Sequence, residues 1–331
     1  MSTVAVMGSG SWGTAMALTL SDNDHRVTIR ARRAEVCDKI NNDHRNPDYF
    51  TDLELPPSLR AERDPQIAMQ DAEFVVLAVP SQSLRETLSQ WQISDQAVIV
   101  SLAKGIELGS GLRMSQVIME VTGAGPERIA VLTGPNLSHE IARRQPAAAV
   151  VASVREETAI AVQQLFHTAT FRPYTNTDVI GCELGGATKN VIALAVGMAA
   201  GMGYGANATA SLITRGLAEI IRLGEAMGAD PHTFSGLAGI GDLVATCSSP
   251  LSRNRTFGEE LGRGRTVAEI AGSTRQVAEG VKSCFSIKAL AEKHHVEMPI
   301  TYAVCAVIEG SLDPRSLVQA LLARAPKPER Y

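Results

Sequence analysis

The chain is 331 residues long, 45% hydrophobic and 20% charged, with a formal net charge of −4. That size accommodates two domains with substantial cores in an ordinary soluble protein, and the acidic balance excludes a global basic field for nucleic acid. Five scattered cysteines (Cys37, Cys182, Cys247, Cys284 and Cys305), odd in number and without a C-x-x-C, argue against a zinc site or a disulfide framework and predict reduced thiols in a cytoplasmic setting.

The run VAVMGSGSWGTAMALTL reads as a strand at Val4–Met7, a glycine-rich turn and a helix start. With folding expected to begin at Val4, no room is left for a signal peptide. Gly8, Gly10 and Gly13 form G-x-G-x-x-G, a weak signal alone that gains meaning between a β-type run and a helix-forming one. Gly8 permits the tight turn, Gly10 lets a pyrophosphate approach the backbone, and Gly13 lets the helix pack on the strand. The phosphates are then expected at the helix N-terminus, where free N–H groups and the dipole favour negative charge. A second strand, Val27–Arg30, leads into Arg30-Ala31-Arg32-Arg33. An NAD-preferring site usually carries Asp or Glu at this strand end to bond the ribose 2′-hydroxyl. Here the nearest carboxylate in sequence is Glu35. Arginine offers bidentate recognition of a 2′-phosphate, so the chain is predicted to use NADP(H), with NAD(H) also tolerated.

Further β-type runs follow at Phe74–Val79, Ala97–Leu102, Ile129–Thr133, Ala147–Ala152 and Thr170–Tyr174, with helical patterns at Glu35–Asn41, Leu84–Gln90 and Met114–Val121 and a polar loop at Asn46–Pro57. Strands alternating with helices predict an α/β, Rossmann-type doubly wound and mostly parallel sheet. From about Asp178 the texture changes to Ala, Gly, Leu and Met at helical spacing, with helices expected at Asn190–Met202, Ala208–Met227, Val277–Lys293 and Met298–Glu309. The expected organisation is a dinucleotide-binding domain over residues 1–180 and an all-α substrate and catalytic domain over residues 181–331. The most apolar long stretch, Val191–Met202, is shorter than the roughly 18 residues that suggest a membrane span, so it predicts a core helix and no membrane insertion. An apolar helical domain also makes a homodimer the expected assembly.

Four clusters can carry chemistry. Lys104 follows the strand VIVSLA at the carboxyl end where ligands bind; alone it would read as a surface lysine. In LTGPNLSHE, Gly134 allows close backbone approach, while Asn136 and Ser138 could equally cap the following helix or bond a ligand. In LGGATKN, Lys189 and Asn190 are expected to begin an otherwise apolar helix, and a lysine so embedded loses solvation, which lowers its pKa and suits it to proton transfer. In GLAGIGDLVATCSSPLSRNRTFG, Asp242 stands at a helix start, and Ser252-Arg253-Asn254-Arg255 opens a later helix as an anion site; the bland alternative is an N-cap and a solvated basic face. The adjacent His294-His295 point to different helix sides, and neither metal-ligand spacing nor a nucleophile elbow occurs.

Together these motifs resemble the bacterial NAD(P)-dependent glycerol-3-phosphate dehydrogenases. The likeness covers nearly the whole chain, with GSGSWGTA, AVPS, SLAKGIE, the Gly134-Pro135 turn, LGGATKN, GANA, ITRGLAE, GLAGIGDL, SRNRTFG and QVAEG in the family's order. The resemblance implies reversible reduction of dihydroxyacetone phosphate to sn-glycerol 3-phosphate, supplying phospholipid synthesis. It implies cofactor contacts at Ser11, Trp12, Arg32, Arg33, Tyr49, Lys104, Ser138, Arg253, Val277 and Glu279. It implies substrate contacts at Lys104, Gly134, Asn136, Lys189, Asp242, Ser252, Arg253 and Asn254, with Lys189 as the proton donor and acceptor. The family often has Ser or Thr where Asn136 stands, and Ala where Ser138 stands. A ketopantoate-reductase-like dehydrogenase is a rival, disfavoured by the Ser-Arg-Asn cluster. An NADP-sensing regulator is another, which would not need both Lys104 and Lys189.

Overall fold

The computed structural model describes residues 1–273 and 279–317. Its strands are β1 (Thr3–Met7), β2 (Arg26–Arg30), β3 (Arg60–Glu62), β4 (Phe74–Leu77), β5 (Val98–Ser101), β6 (Ile129–Thr133), β7 (Ala147–Ala152) and β8 (Phe171–Asn176). They form one sheet in the order β3-β2-β1-β4-β5-β6-β7-β8. Every neighbouring pair is parallel except β6 and β7, which run antiparallel with Leu132 opposite Val151. The expected doubly wound, mostly parallel sheet is therefore present. Strand order reverses between β1 and β4, so the crevice at their carboxyl ends is the switch point where open α/β sheets bind ligands.

Both faces of the sheet are covered. Val4 and Val6 of β1 join a core cluster with Val76 and Val100, while Ala5 and Met7 join a second with Leu77 and Ile99. Burial on both sides is why these strands read as unbroken apolar runs. The edge strand β3 has no such run and was not expected. The helices Ser11–Asp22, Ala34–Asp43, Met114–Thr122 and Glu156–Phe166 cross between strands.

After β8, Asp178 accepts a hydrogen bond from the Gly181 N–H at 2.9 Å and starts the helix Val179–Gly201. The expected start at Lys189-Asn190 is thus corrected: both residues lie deep inside this helix. Gly181, Gly185 and Gly186 look like breakers in sequence, yet they are contact points. A Cβ on Gly185 would collide with the Ala238 carbonyl, and one on Gly186 would lie 3.0 Å from Thr133 Oγ1. The helix is also longer than the apolar stretch Val191–Met202 suggested. By length and composition it could cross a membrane, but its residues are buried inside the fold.

The chain divides into two compact units: Met1–Gly186 with His232–Asp242, and Ala187–Pro231 with the described residues from Leu243 onward. Among the described residues of the second unit the helices are Ala206–Ala226, Arg253–Gly262, Val267–Ser273, Glu279–Lys293 and Pro299–Ile308, beside the continuations of Val179–Gly201 and Asp242–Ser248. Backbones touch there. A Cβ on Gly258 would strike the Leu194 carbonyl, and one on Gly197 the Arg255 carbonyl. The helix expected from Val277 is described from Glu279, and Val277 itself lies outside the described residues.

Candidate active site

The glycine turn connects β1 to the helix Ser11–Asp22. Gly8 has φ +142°, and a Cβ there would collide with the Ala78 carbonyl of the neighbouring strand's exit. A Cβ on Gly13 would strike the Gly8 carbonyl. Beside Gly10 nothing lies within 4 Å, so backbone is open to a ligand at this point alone of the three. Gly10 is the N-cap and offers no side-chain cap, leaving the first N–H groups of the helix to an anion. The indole Nε1 of Trp12 is buried without a hydrogen-bond partner, and Ser11 Oγ lies 2.7 Å from Ser138 Oγ. An open glycine, an uncapped helix N-terminus and an orphaned indole N–H together fit a dinucleotide pyrophosphate.

The end of β2 carries a feature hidden in the sequence. Arg32 is exposed, and Arg33 forms an ion pair with Asp48, whose carboxylate raises the guanidinium pKa above its ordinary value. Asp48 comes from the loop expected over Asn46–Pro57, so the carboxylate nearest Arg33 in space is not Glu35. The loop is tied to the glycine turn through buried Asn46. Its Nδ2 donates to Ser9 O at 3.0 Å and Thr14 Oγ1 at 2.8 Å, while its Oδ1 accepts from the backbone N–H of Asp48 at 3.0 Å and of Tyr49 at 3.3 Å. Half-buried Tyr49 and Trp12 pack on the same core cluster.

At the carboxyl end of β5, Lys104 Nζ donates to Gly134 O at 3.0 Å and to Asp242 Oδ2 at 2.7 Å. The carboxylate is 1% exposed and the lysine side chain 15%. Lys104 is therefore not a solvated strand-end lysine, and Asp242 is committed to an ion pair rather than serving only as a cap. Gly134 holds φ +116°, with its missing Cβ 3.3 Å from the Ala149 Cα. Neither Asn136 nor Ser138 caps the helix Ser138–Ala142, whose N-cap is Leu137 without a side-chain bond. Both amide atoms of Asn136 and the hydroxyl of Thr133 are buried with no partner. Glu183, accepting from Ser115 N at 2.7 Å, Ser115 Oγ at 2.6 Å and the Arg113 guanidinium, anchors the first turns of Val179–Gly201.

In the second unit, Lys189 is 7% exposed and its Nζ donates to Thr246 Oγ1 at 2.9 Å. Asn190 Oδ1 accepts from Asn254 Nδ2 at 2.9 Å, and Asn254 Oδ1 accepts from the Gly280 N–H at 2.9 Å. This chain of amides joins three helices at one buried point. Ser252 caps the helix Arg253–Gly262 by accepting from Arg255 N at 3.3 Å. Arg253 is exposed on the first turn, and Glu279 is half-buried at the start of its helix. Thr246, Asp48 and Thr133 were missed from sequence, since each is marked only by its spatial neighbours. Among the described residues no group of three His, Cys, Asp or Glu could hold a metal ion.

Residues 3–159 match the model of the NAD-dependent glycerol-3-phosphate dehydrogenase N-terminus, and residues 178–319 that of its C-terminus. A glycerol-3-phosphate dehydrogenase [NAD(P)+] of Streptomyces avermitilis is 58% identical over 328 residues, covering 98% of each chain. One from Thermobifida fusca is 58% identical over 334 residues, covering 100% of this chain and 99% of its own. A crystal structure of glycerol-3-phosphate dehydrogenase from Coxiella burnetii superposes with a TM-score of 0.92 at 35% identity, over 98% of this chain and 99% of that one.

Proposed function

Because this chain belongs to the NAD-dependent glycerol-3-phosphate dehydrogenase family, we propose that it interconverts dihydroxyacetone phosphate and sn-glycerol 3-phosphate. It is an NAD(P)-dependent oxidoreductase, using NADP(H) and also NAD(H). The bound nicotinamide supplies or accepts the hydride. The observation that carries the residue assignment is the burial of Lys189 in an otherwise apolar helix, with its Nζ donating to the Thr246 hydroxyl.

In reduction, Lys189 gives a proton to the C2 carbonyl oxygen; in oxidation its amine takes the alcohol proton. Thr246 aims that nitrogen. Lys104 stabilises the developing alkoxide, and Asp242 and the Gly134 carbonyl hold it in place. Ser252, Arg253 and Asn254, with the N-terminus of the helix Arg253–Gly262, bind the substrate phosphate. Gly134 and Asn136 contact the rest of the substrate; the unpartnered Asn136 amide supports this. Gly8, Gly10, Ser11, Trp12, Gly13, Arg32, Arg33, Tyr49, Lys104, Ser138, Arg253, Val277 and Glu279 form the dinucleotide contacts. The reading extends to a cytoplasmic homodimer supplying glycerol phosphate to phospholipid synthesis. Five free, buried cysteines support a reducing compartment.

Lys189→Met removes the proton donor at similar volume. NADPH oxidation with dihydroxyacetone phosphate should fall roughly 10²–10⁴-fold in kcat, while NADPH binding by fluorescence titration stays unchanged. Near-normal turnover would remove Lys189 from the chemistry, and turnover of ketopantoate by the wild type would move the substrate assignment.

A further inference from the structure

We propose that Asp48 sets the balance between the two dinucleotides: the Arg33–Asp48 pair reads the adenosine ribose in either form, Arg33 binding a 2′-phosphate and Asp48 accepting from a 2′-hydroxyl. The inference rests on the dinucleotide site placed at the glycine turn and the end of β2. In parallel α/β sheets the ribose lies at that strand end, and a carboxylate there selects the unphosphorylated cofactor. This chain places arginines at the strand end and brings the carboxylate from a loop fifteen positions further on.

Three observations support a reading device over an incidental surface pair. First, the partners remain accessible, with side chains 56% and 41% exposed, so a ligand can reach both. Second, the loop is held through its backbone. Asn46 accepts from the Asp48 N–H and donates to Ser9 O at the glycine turn and to Thr14 Oγ1 on the following helix, so the loop backbone at Asp48 is tethered beside the pyrophosphate position. Third, Arg33 is the N-cap of the helix Ala34–Asp43 and makes no side-chain cap, which leaves uncapped N–H groups beside the guanidinium. Arg30 is committed elsewhere, 5.6 Å over the Trp91 ring.

The two ligands meet the pair differently. A 2′-hydroxyl donates to Asp48 and accepts from Arg33, so the ion pair persists. A 2′-phosphate dianion binds Arg33 and Arg32 but is repelled by Asp48, and it must compete with that carboxylate for the guanidinium. Asp48 thus weakens NADP(H) and strengthens NAD(H), bringing the two affinities together.

The test is direct binding by nucleotide fluorescence, without substrate, on the full chain. Asp48→Ala should tighten NADPH about fivefold, the most an exposed ion pair contributes. It should weaken NADH by about threefold, the loss of one hydrogen bond. Asp48→Asn should tighten NADPH similarly while keeping more of the NADH affinity, since its carbonyl still accepts. Arg33→Ala should weaken NADPH roughly ten- to a hundredfold and NADH far less. If Asp48→Ala leaves the affinity ratio unchanged, or weakens both nucleotides equally, the pair only shapes the loop and the inference fails. If the wild type binds neither dinucleotide, the site assignment itself fails.

Discussion

Replacing Asp242 by Asn should cost catalysis rather than folding alone, and its size follows from the ion pair with Lys104. At 2.7 Å and an effective dielectric of 20, the gross attraction is about 6 kcal/mol. Desolvation of a carboxylate that is 1% exposed offsets much of this. Breaking such a pair by removing one partner costs about 3–5 kcal/mol. Lys104 retains Gly134 O at 3.0 Å and some solvent contact, which argues for the lower end. An ammonium no longer held by Asp242 misses the alkoxide, so kcat/KM for dihydroxyacetone phosphate should fall about 100-fold. The double-mutant cycle with Lys104→Met separates this from general damage. The double variant should be no worse than Lys104→Met alone, giving a coupling energy of about 2–3 kcal/mol. Additive losses, or an Asp242→Asn enzyme within threefold of wild type, would refute the coupling.

The glycine turn yields a paired comparison. A Cβ on Gly13 strikes the Gly8 carbonyl, so Gly13→Ala must displace the turn; NADPH affinity should drop by roughly tenfold or more with a lowered Tm. Gly10→Ala meets no protein atom, so it should spare Tm and weaken only the nucleotide, as titration and thermal melts on the two variants will read. Glu219 offers a pH prediction. Burial pushes its carboxyl up to about 7, against the hydrogen bonds it accepts from Ile300, Thr301 and the Thr301 hydroxyl. An unfolded chain ionises this group near pH 4.5 while the fold keeps it protonated, so stability falls as pH rises from about 4.5 to about 7, by up to about 3 kcal/mol. Glu219→Gln cannot titrate. Its Tm relative to wild type should climb across that window and level off above it; a constant difference would contradict the assignment.

Much of the fold was legible because its signals are local. β1, β4, β5 and β6 are buried on both faces, which writes unbroken apolar runs into the sequence. The antiparallel turn of β7 against β6 left no such trace, since a strand covered on both sides has no directional pattern. β3, three residues at the edge with only Ala61 buried, carries no hydrophobic run to find. The start of Val179–Gly201 was misplaced for the opposite reason. Glycines at 181, 185 and 186 resemble breakers, and only their tertiary neighbours show why they are small: the Thr233 side chain at Gly181, the Ala238 carbonyl at Gly185, and the Thr133 and Lys104 side chains at Gly186.

The site divides along the same line. The pyrophosphate turn is a contiguous motif, and each glycine's role follows from its own neighbours within the unit. The groups beyond it act through partners distant in sequence: Lys104 through Asp242, Lys189 through Thr246, Asn190 through Asn254 and Gly280. A lysine in an apolar helix announces that something must neutralise or use it, but not what. The buried amides of Asn136 make the complementary case. Their position just before a helix is compatible with a capping role, and a cap would satisfy them inside the protein. The helix starts at Ser138 without their help, so their hydrogen-bonding capacity is directed at a ligand or left unmet at a cost of about 1–3 kcal/mol. A fold keeps such a deficit where binding removes it. The same reasoning picks out Trp12 Nε1 and Thr133 Oγ1, each at the carboxyl edge of the parallel strands.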